Sequence, residues 1–122
     1  MRNFKDLVVW KKAHALTLEL YRATRTFPRE ELYGITSQIR RAAASIGANL
    51  AEGCGRRSDG EFGRYLLMAM GSASELSYHL LLARDLRFIE EGDFVHLDGQ
   101  LAEVRRMLTV LTLKVKTVSL AS

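Results

Sequence analysis

Apolar residues recur at alternating steps of three and four through most of this chain, which is the spacing of one buried helix face. The pattern continues over three long segments. The residues of these three apolar seams are Val9, Ala13, Leu16, Leu20, Ala23 and Phe27; Phe62, Leu66, Ala69, Ala73, Leu76, Leu80 and Ala83; and Leu97, Leu101, Val104, Leu108, Leu111, Val115 and Val118. Because the chain has a single proline, Pro28, little interrupts a helix. The sequence therefore predicts an all-α protein.

Turn-forming and capping residues divide the chain into four predicted helices. Proline favours a first helical turn, glycine ends a helix, and a serine three residues before a glutamate forms a capping box. Pro28 with Glu30 and Glu31 predicts a helical first turn, and Gly34 with the hydroxyls of Thr36 and Ser37 predicts the restart that opens the second helix. The second helix is predicted to end at Gly53 or Gly55. The third is predicted to start at Ser58 with Glu61 and to end near Arg87, and the fourth to start between Glu90 and Asp93. Helices of about 20 to 28 residues with short connections predict an antiparallel up-down-up-down four-helix bundle. We expect one domain over residues 1–122.

Two further apolar stripes lie beside the predicted buried faces. Their residues are Leu7, Trp10, His14, Leu18 and Tyr21 on the first helix, and Met107, Val110 and Leu113 on the fourth. Each helix of a four-helix monomer needs only one buried face, so the additional stripes predict a subunit interface. We expect a homo-oligomer.

The second predicted helix has a polar stripe on one face. It comprises Gln38, Arg41, Ser45, Asn49 and Glu52. Two interpretations are open: either the stripe is buried and Arg41 pairs with a carboxylate of the next helix, Glu75 being the best candidate, or it faces outward as a contact surface for a subunit or ligand. The small residues around the stripe predict a close approach of a neighbouring helix. They are Ala44, Gly47, Ala48 and Ala51.

The remaining polar residues do not form a pattern typical of an enzyme or a metal centre. A di-iron bundle needs matched Glu-x-x-His pairs on two helices, and neither Glu75 with His79 nor Asp93 with His96 supplies one. Ser45 has no histidine at helical spacing beside it, and the glycines after the second helix lack the following lysine of a phosphate-binding loop. We expect no enzymatic activity, no cofactor and no metal.

The first residues of the chain contain no uninterrupted apolar run. Lys5, Asp6, Lys11 and Lys12 break the apolar pattern that a signal peptide or membrane span needs. A lone cysteine, Cys54, cannot form an internal disulfide. We therefore expect a cytoplasmic protein with a reduced thiol and no membrane association.

Short motifs over nearly the whole chain are shared with a known family. They are Phe4-Lys5-Asp6-Leu7 with Trp10, Phe27-Pro28 with Glu31, the run from Tyr33 to Ala42, Ser45-Ile46, the run from Asn49 to Gly53, and Gly71-Ser72 with Glu75-Leu76. On these motifs the sequence resembles the four-helix bundle proteins encoded in intervening sequences of bacterial 23S ribosomal RNA genes. Gly47 and Leu50 are mild departures from that pattern.

The resemblance implies a fold and a set of partners. It implies an up-and-down four-helix bundle that assembles as a homopentamer and has no known enzymatic activity. A similar protein is the accessory variability determinant of diversity-generating retroelements, in which a basic pentameric barrel binds nucleic acid and a reverse transcriptase. The candidate partners implied are therefore RNA, DNA or a nucleoprotein such as a reverse transcriptase.

The predicted topology gathers positive charge at one end of the bundle. The start of the first helix, the turn between the second and third, and the end of the fourth share that end. Its basic residues are Arg2, Lys5, Lys11, Lys12, Arg56, Arg57, Arg64, Lys114 and Lys116, against Asp6, Glu52, Asp59 and Glu61. The opposite end has Arg22, Arg25, Arg29, Arg84 and Arg87 against Glu19, Glu30, Glu31, Asp85, Glu90, Glu91, Asp93 and Asp98. The net charge of +4 is thus predicted to be polarised.

This charge distribution predicts a contact with nucleic acid. A ring of subunits that all point the same way would place every basic end on one face, where neutralised phosphates give salt-dependent binding with little sequence preference. We predict a non-enzymatic oligomeric adaptor for RNA or DNA. The alternative is a structural or protein-binding module with no nucleic-acid role. Few aromatic residues lie among the basic ones to stack on bases, which is also what a solvated helix end that only aids solubility predicts.

Overall fold

The computed structural model describes the backbone of residues 2–121 and the side chains of residues 2–116. This part of the chain forms four α-helices and three short 3₁₀ helices, without a β-strand. The α-helices are α1 (Val8–Ala23), α2 (Ile35–Cys54), α3 (Asp59–Asp85) and α4 (Glu91–Ala121), and the 3₁₀ helices are Phe4–Asp6, Thr24–Thr26 and Arg29–Glu31. The prediction of an all-α protein is confirmed.

Each helix runs antiparallel to its neighbour. Two contacts for each pair establish this. Thr17 contacts Ala43 and Trp10 contacts Gly47 between α1 and α2, whereas Ser45 with Ser72 and Arg56 with Tyr65 connect α2 and its end to α3. Ser74 with Arg105 and Met70 with Thr112 connect α3 to α4, and Lys12 with Glu103 and Glu19 with His96 connect α1 to α4. In every pair the residue numbers rise along one helix as they fall along the other. Since α4 returns beside α1, the four helices form an up-down-up-down bundle.

The predicted apolar seams face the interior of this bundle. Every seam residue on α3 is buried, whereas Ala23 of the first seam and Leu111 of the third are half-buried, and the side chain of Val118 lies outside the described residues. The apolar face of α2 completes the core with Ile35, Ile39, Ala42, Ala43, Ile46, Leu50 and Cys54. Burying one leucine or isoleucine side chain stabilises a fold by about 1.5–3 kcal/mol, so these seams dominate the stability of the bundle. None of the described helices is long and apolar enough to cross a membrane.

Several predicted helix boundaries are confirmed by their capping contacts. The Oγ of Ser58 accepts a hydrogen bond from the backbone N–H of Glu61 at 3.1 Å, which is one half of a capping box. α2 ends at Cys54 with Gly55 as its cap, and α4 begins at Glu91.

Other boundaries differ from the prediction. α1 ends at Ala23 rather than at Phe27, because Phe27 precedes Pro28 and takes the extended conformation that proline favours in the residue before it. The chain between them tightens into a 3₁₀ helix. The hydroxyls of Thr36 and Ser37 do not cap α2: its cap is Gly34, which has no side chain to offer.

α2 and α3 approach closely at Gly53. A Cβ at this position would lie 2.8 Å from the Cβ of Tyr65 and 3.1 Å from Cδ1 of Phe62. The predicted small-residue stripe does not make this approach, because Ala44 and Ala48 are exposed. Gly47, in the same stripe, instead leaves room for the indole of Trp10. The close contact of helices thus depends on a glycine at the end of α2.

Gly53→Ala should lower the free energy of unfolding by about 1–3 kcal/mol, because the added methyl overlaps Tyr65 and Phe62. Gly99→Ala is the matched control. No atom lies within 4 Å of the position that its Cβ would take, so replacing this glycine inside α4 should stabilise the protein by about 0.5–1 kcal/mol. Urea denaturation measures both values, and equal effects of the two substitutions would contradict the close approach.

Candidate functional site

Three separate segments meet at one end of the bundle. The backbone N–H of Arg2 donates to the carbonyl oxygen of Cys54 at 2.9 Å, and its guanidinium contacts Asp59 at 2.8 Å. Across α3 and α4, Cγ1 of Val115 lies 3.7 Å from the position that a Cβ of Gly63 would take. The amino terminus, the turn after α2 and the last turns of α4 therefore lie together. We call this end, with its nine basic residues named above, the basic end.

Three of the nine basic side chains are held by carboxylates. The ion pairs are Arg2 with Asp59 at 2.8 Å, Lys12 with Glu103 at 2.8 Å, and Arg56 with Glu52 at 3.4 Å. The hydrogen bond and the positive charge of Lys12 lower the pKa of the Glu103 carboxyl, which is therefore ionised and neutralises the lysine. Exposed pairs of this kind contribute little to stability, but they reduce the charge available to a ligand.

The other six basic side chains have no ion pair within the described part of the chain. Four of these six also make no contact with an aromatic ring there. They are Lys11, Arg57, Lys114 and Lys116, and all four are exposed. Lys5 and Arg64 differ from them in lying near aromatic rings, at 5.9 Å from the ring centroids of Phe4 and Tyr65 respectively. An aromatic ring carries no net charge, so Lys5 and Arg64 also remain without a neutralising carboxylate. The uncompensated charge of the basic end therefore comes from six residues, two of them on α4.

Two aromatic rings of the basic end, those of Phe62 and Tyr65, are covered by arginines. The guanidinium carbon of Arg2 lies 4.2 Å from the ring centroid of Phe62, and that of Arg56 lies 4.9 Å from the ring of Tyr65. Arg56 also donates a hydrogen bond to the Tyr65 hydroxyl at 2.7 Å. These rings are occupied inside the protein, so a nucleic acid at this end would be held through its phosphates rather than by base stacking.

Three residues of the polar stripe of α2, namely Gln38, Arg41 and Ser45, line an outward-facing groove between α2 and α3. Gln38, Arg41 and Glu52 are exposed, while Ser45 and Asn49 are half-buried. The groove has a volume of about 420 Å³ and is lined by Tyr33, Ser37, Gln38, Arg41, Ala42, Ser45 and Glu75. The stripe is therefore not buried in the core of the bundle, and its role as a contact surface stays a prediction.

Within this groove the hydrogen bonds are local. The hydroxyls of Ser45 and Ser72 are 2.9 Å apart, and Nδ2 of Asn49 donates to Oγ of Ser45 at 3.1 Å and to its carbonyl oxygen at 2.9 Å. The expected pair of Arg41 with Glu75 is not formed: Oε1 of Glu75 instead lies 3.3 Å from Nε2 of His79. Arg41 has no ion pair or hydrogen bond with any described side chain.

Tyr33 is 92% exposed and lines the same groove, although in the sequence it stands out only as the first residue of a family motif. Its position offered one signal, since an aromatic residue directly before Gly34 lies in a turn between helices and outside every apolar seam.

In the described part of the chain, the histidines lie beside an aromatic ring or a carboxylate rather than within a cluster of metal-ligating side chains. His14 stacks on Trp10 at 4.9 Å between ring centroids, and Nε2 of His96 lies 3.5 Å from Glu19. Over residues 2–116 no three His, Cys, Asp or Glu side chains form a group that could hold a metal ion.

The sequence and the fold can be compared with known proteins. The family model of the 23S rRNA-intervening sequence protein matches residues 5–110. The chain belongs to this family. The fold is similar to the crystal structure of a protein with unknown function from the S23 ribosomal protein family of Bacteroides thetaiotaomicron VPI-5482, with 24% identity and a TM-score of 0.80. That match covers 86% of this chain and 95% of the other, and it shows a shared fold. Among curated proteins, none matches the sequence.

Cys54 of this chain lies beneath the basic end, where its carbonyl oxygen accepts the hydrogen bond from Arg2. Its side chain is fully buried, and burial raises the pKa of the thiol, an effect that the positive charge of Arg2 partly offsets. A raised pKa means that the folded chain holds the proton more tightly than the unfolded chain. The resulting stability is fully present below the unfolded-state pKa of about 8.5 and is lost as the pH rises through the folded-state value.

The wild-type protein should therefore lose more stability between about pH 8 and pH 10 than Cys54→Ala does. At neutral pH the alanine variant should have a lower unfolding free energy because it leaves a cavity, but it lacks the titrating thiol. Urea denaturation across this pH range compares the two slopes, and other groups that titrate there contribute equally to both. Parallel curves would show that the thiol does not titrate differently on folding.

Proposed function

We propose that this chain is a non-enzymatic, oligomeric bundle protein of the cytoplasm that associates with RNA or DNA through its basic end. The observation that supports this most is the meeting of three chain segments that bring Lys11, Arg57, Lys114 and Lys116 to one end without carboxylate partners. Phosphates of a nucleic acid would supply the missing negative charge. A nucleoprotein such as a reverse transcriptase with its template would present the same phosphates.

The proposed mode of binding is contact with the nucleic-acid backbone. The rings of Phe62 and Tyr65 are already covered by arginines, so base stacking would contribute little. Lysine and arginine on phosphates give affinity that depends strongly on salt and weakly on sequence. The adaptor would therefore accept many RNA or DNA sequences.

Self-association is the second part of the proposal, and a homopentamer is the assembly that we propose. Val8 and Val110 are 55% and 52% exposed, and they line an apolar cleft of about 320 Å³ between α1 and α4. A second cleft, of about 580 Å³ between α3 and α4, includes the exposed Leu67. Neighbouring copies of the chain would cover these apolar side chains. A ring of like-oriented subunits would also bring the basic ends onto one face.

Replacing Lys11, Arg57, Lys114 and Lys116 together by Ala should reduce the slope of log affinity against log salt by about three, because up to four phosphate contacts are lost. The matched control replaces Arg22, Arg41, Arg87 and Arg105 by Ala. This control changes the net charge by the same amount at positions outside the basic end. Fluorescence anisotropy with single-stranded RNA and duplex DNA, between about 50 and 200 mM salt, gives the slopes. Equal slopes for wild type and the first variant would refute the proposed site, and salt-independent or absent binding would favour a protein-binding module.

Val8→Asp combined with Val110→Asp should convert the assembly into smaller particles, because two carboxylates would have to be desolvated in an apolar interface. Val95→Asp is the control, since Val95 is exposed on α4 outside both clefts. Light scattering after size exclusion measures the mass of each. A wild-type protein that elutes with the mass of one chain would remove the oligomeric part of the proposal.

A further inference from the structure

A second positively charged site lies at the end of the bundle opposite the basic end. A cleft of about 420 Å³ opens where α1 connects to α2. It is lined by Thr24, Arg25, Phe27, Pro28, Arg29, Leu32, Thr36 and Arg40, with no Asp or Glu among these residues. Its three arginines come from three elements, namely the 3₁₀ helix Thr24–Thr26, the 3₁₀ helix Arg29–Glu31 and α2. The fold brings together charges that are separated in the sequence.

Arg40 is held in place by the protein. Its Nε donates to Oγ1 of Thr24 at 2.9 Å and one terminal nitrogen donates to the carbonyl oxygen of Tyr21 at 3.3 Å, while its guanidinium lies 4.9 Å from the Tyr21 ring centroid. The Thr24 hydroxyl is itself buried and donates to the carbonyl oxygen of Leu20 at 2.8 Å. Arginine has five N–H donors, so Arg40 is fixed in position while most of its donors stay available to a ligand.

Arg25 and Arg29 are exposed and form no ion pair with any described side chain. The nearest acidic residues along the chain, Glu30 and Glu31, form no ion pair with them, and the carboxylate of Glu31 lies against Gly34, 3.2 Å from the position that a Cβ would take there. Three like charges around one cleft repel each other unless an anion lies between them. The cleft therefore has the electrostatics of an anion site.

One buried polar group in the cleft also lacks a partner. Thr36 is only 3% exposed, and its hydroxyl has no hydrogen-bond partner within the part of the chain that the structure describes. Buried hydroxyls in native proteins are nearly always hydrogen-bonded, to protein, water or ligand. The unpartnered hydroxyl of Thr36, a residue of the cleft wall, is a second observation, independent of the arginines, that is consistent with a ligand here.

We propose that this cleft binds the phosphate group of a phosphate monoester. A monoester has three acceptor oxygens and a charge of about −1.5 to −2 at neutral pH, which matches three guanidinium groups better than a carboxylate with two oxygens and one charge. The apolar walls formed by Phe27, Pro28 and Leu32 would contact the organic part of the ligand. The volume is within the range of small-molecule sites.

Titration calorimetry with adenosine 5′-monophosphate, inorganic phosphate and adenosine tests the site. The monophosphate and inorganic phosphate should bind, whereas adenosine should not. Arg25→Gln and Arg29→Gln should each weaken binding of the monophosphate by about tenfold, the effect of losing a charged hydrogen bond. Neither arginine makes a side-chain hydrogen bond in the described structure, so both variants should fold, and thermal melting verifies this.

Arg22→Gln is the matched control, because Arg22 is an exposed arginine of the same end that does not line the cleft. Equal weakening by this control, equal binding of adenosine, or no binding of the monophosphate at millimolar concentration would overturn the proposal. A 5′-phosphorylated oligonucleotide that binds more tightly than the monophosphate, and loses that advantage in Arg29→Gln, would identify a strand end as the source of the phosphate. Weaker or equal binding would identify a free monoester.

The site is independent of the proposed contact with nucleic acid at the basic end. The variant that lacks Lys11, Arg57, Lys114 and Lys116 should bind adenosine 5′-monophosphate as the wild type does. Arg25→Gln with Arg29→Gln should in turn leave the salt slope unchanged for RNA that lacks a 5′-phosphate. Failure of either proposal is thus measured separately from failure of the other.

Discussion

Burial of the three apolar seams and the apolar face of α2 against one another is the constraint on which the rest of this structure depends. The seam of α3 is buried throughout, from Phe62 to Ala83, and the other helices contribute one buried face each. Once a seam faces inward, the helical period fixes the direction of every other residue on that helix. The outward position of the polar stripe and the exposure of Val8 and Val110 follow from this one packing arrangement.

Antiparallel packing also determines where charge accumulates. It brings the amino terminus, the α2–α3 turn and the last turns of α4 to one end, and the ion pairs formed there leave only part of the positive charge uncompensated. The opposite end is not uniformly acidic. At the α3–α4 turn, Arg84 is paired with Asp85 at 3.1 Å, whereas the cleft at the α1–α2 connection has arginines alone. A sum of charges over one end of a bundle conceals such local separation.

Polar residues between α2 and α3 bond to near neighbours rather than across a buried core. The hydroxyls of Ser45 and Ser72 join the two helices, and Asn49 bonds back to Ser45 on its own helix. A buried ion pair of Arg41 and Glu75 would have required two charges to be desolvated, at a cost that attraction often does not recover. In the folded chain Arg41 keeps its solvation in the groove and remains available to a ligand or a subunit.

The helical period and the capping residues predict the four helices, the buried faces of α1, α3 and α4 and the cap at Ser58, because both are local properties of the chain. Short shared motifs predict the family. Which polar groups meet depends on how the helices pack. The separation of Arg41 from Glu75, the close approach at Gly53 and the convergence of three arginines depend on how far each helix is rotated and shifted against its neighbour. One residue of shift turns a helix face by roughly 100°, and no local pattern in the sequence specifies that angle.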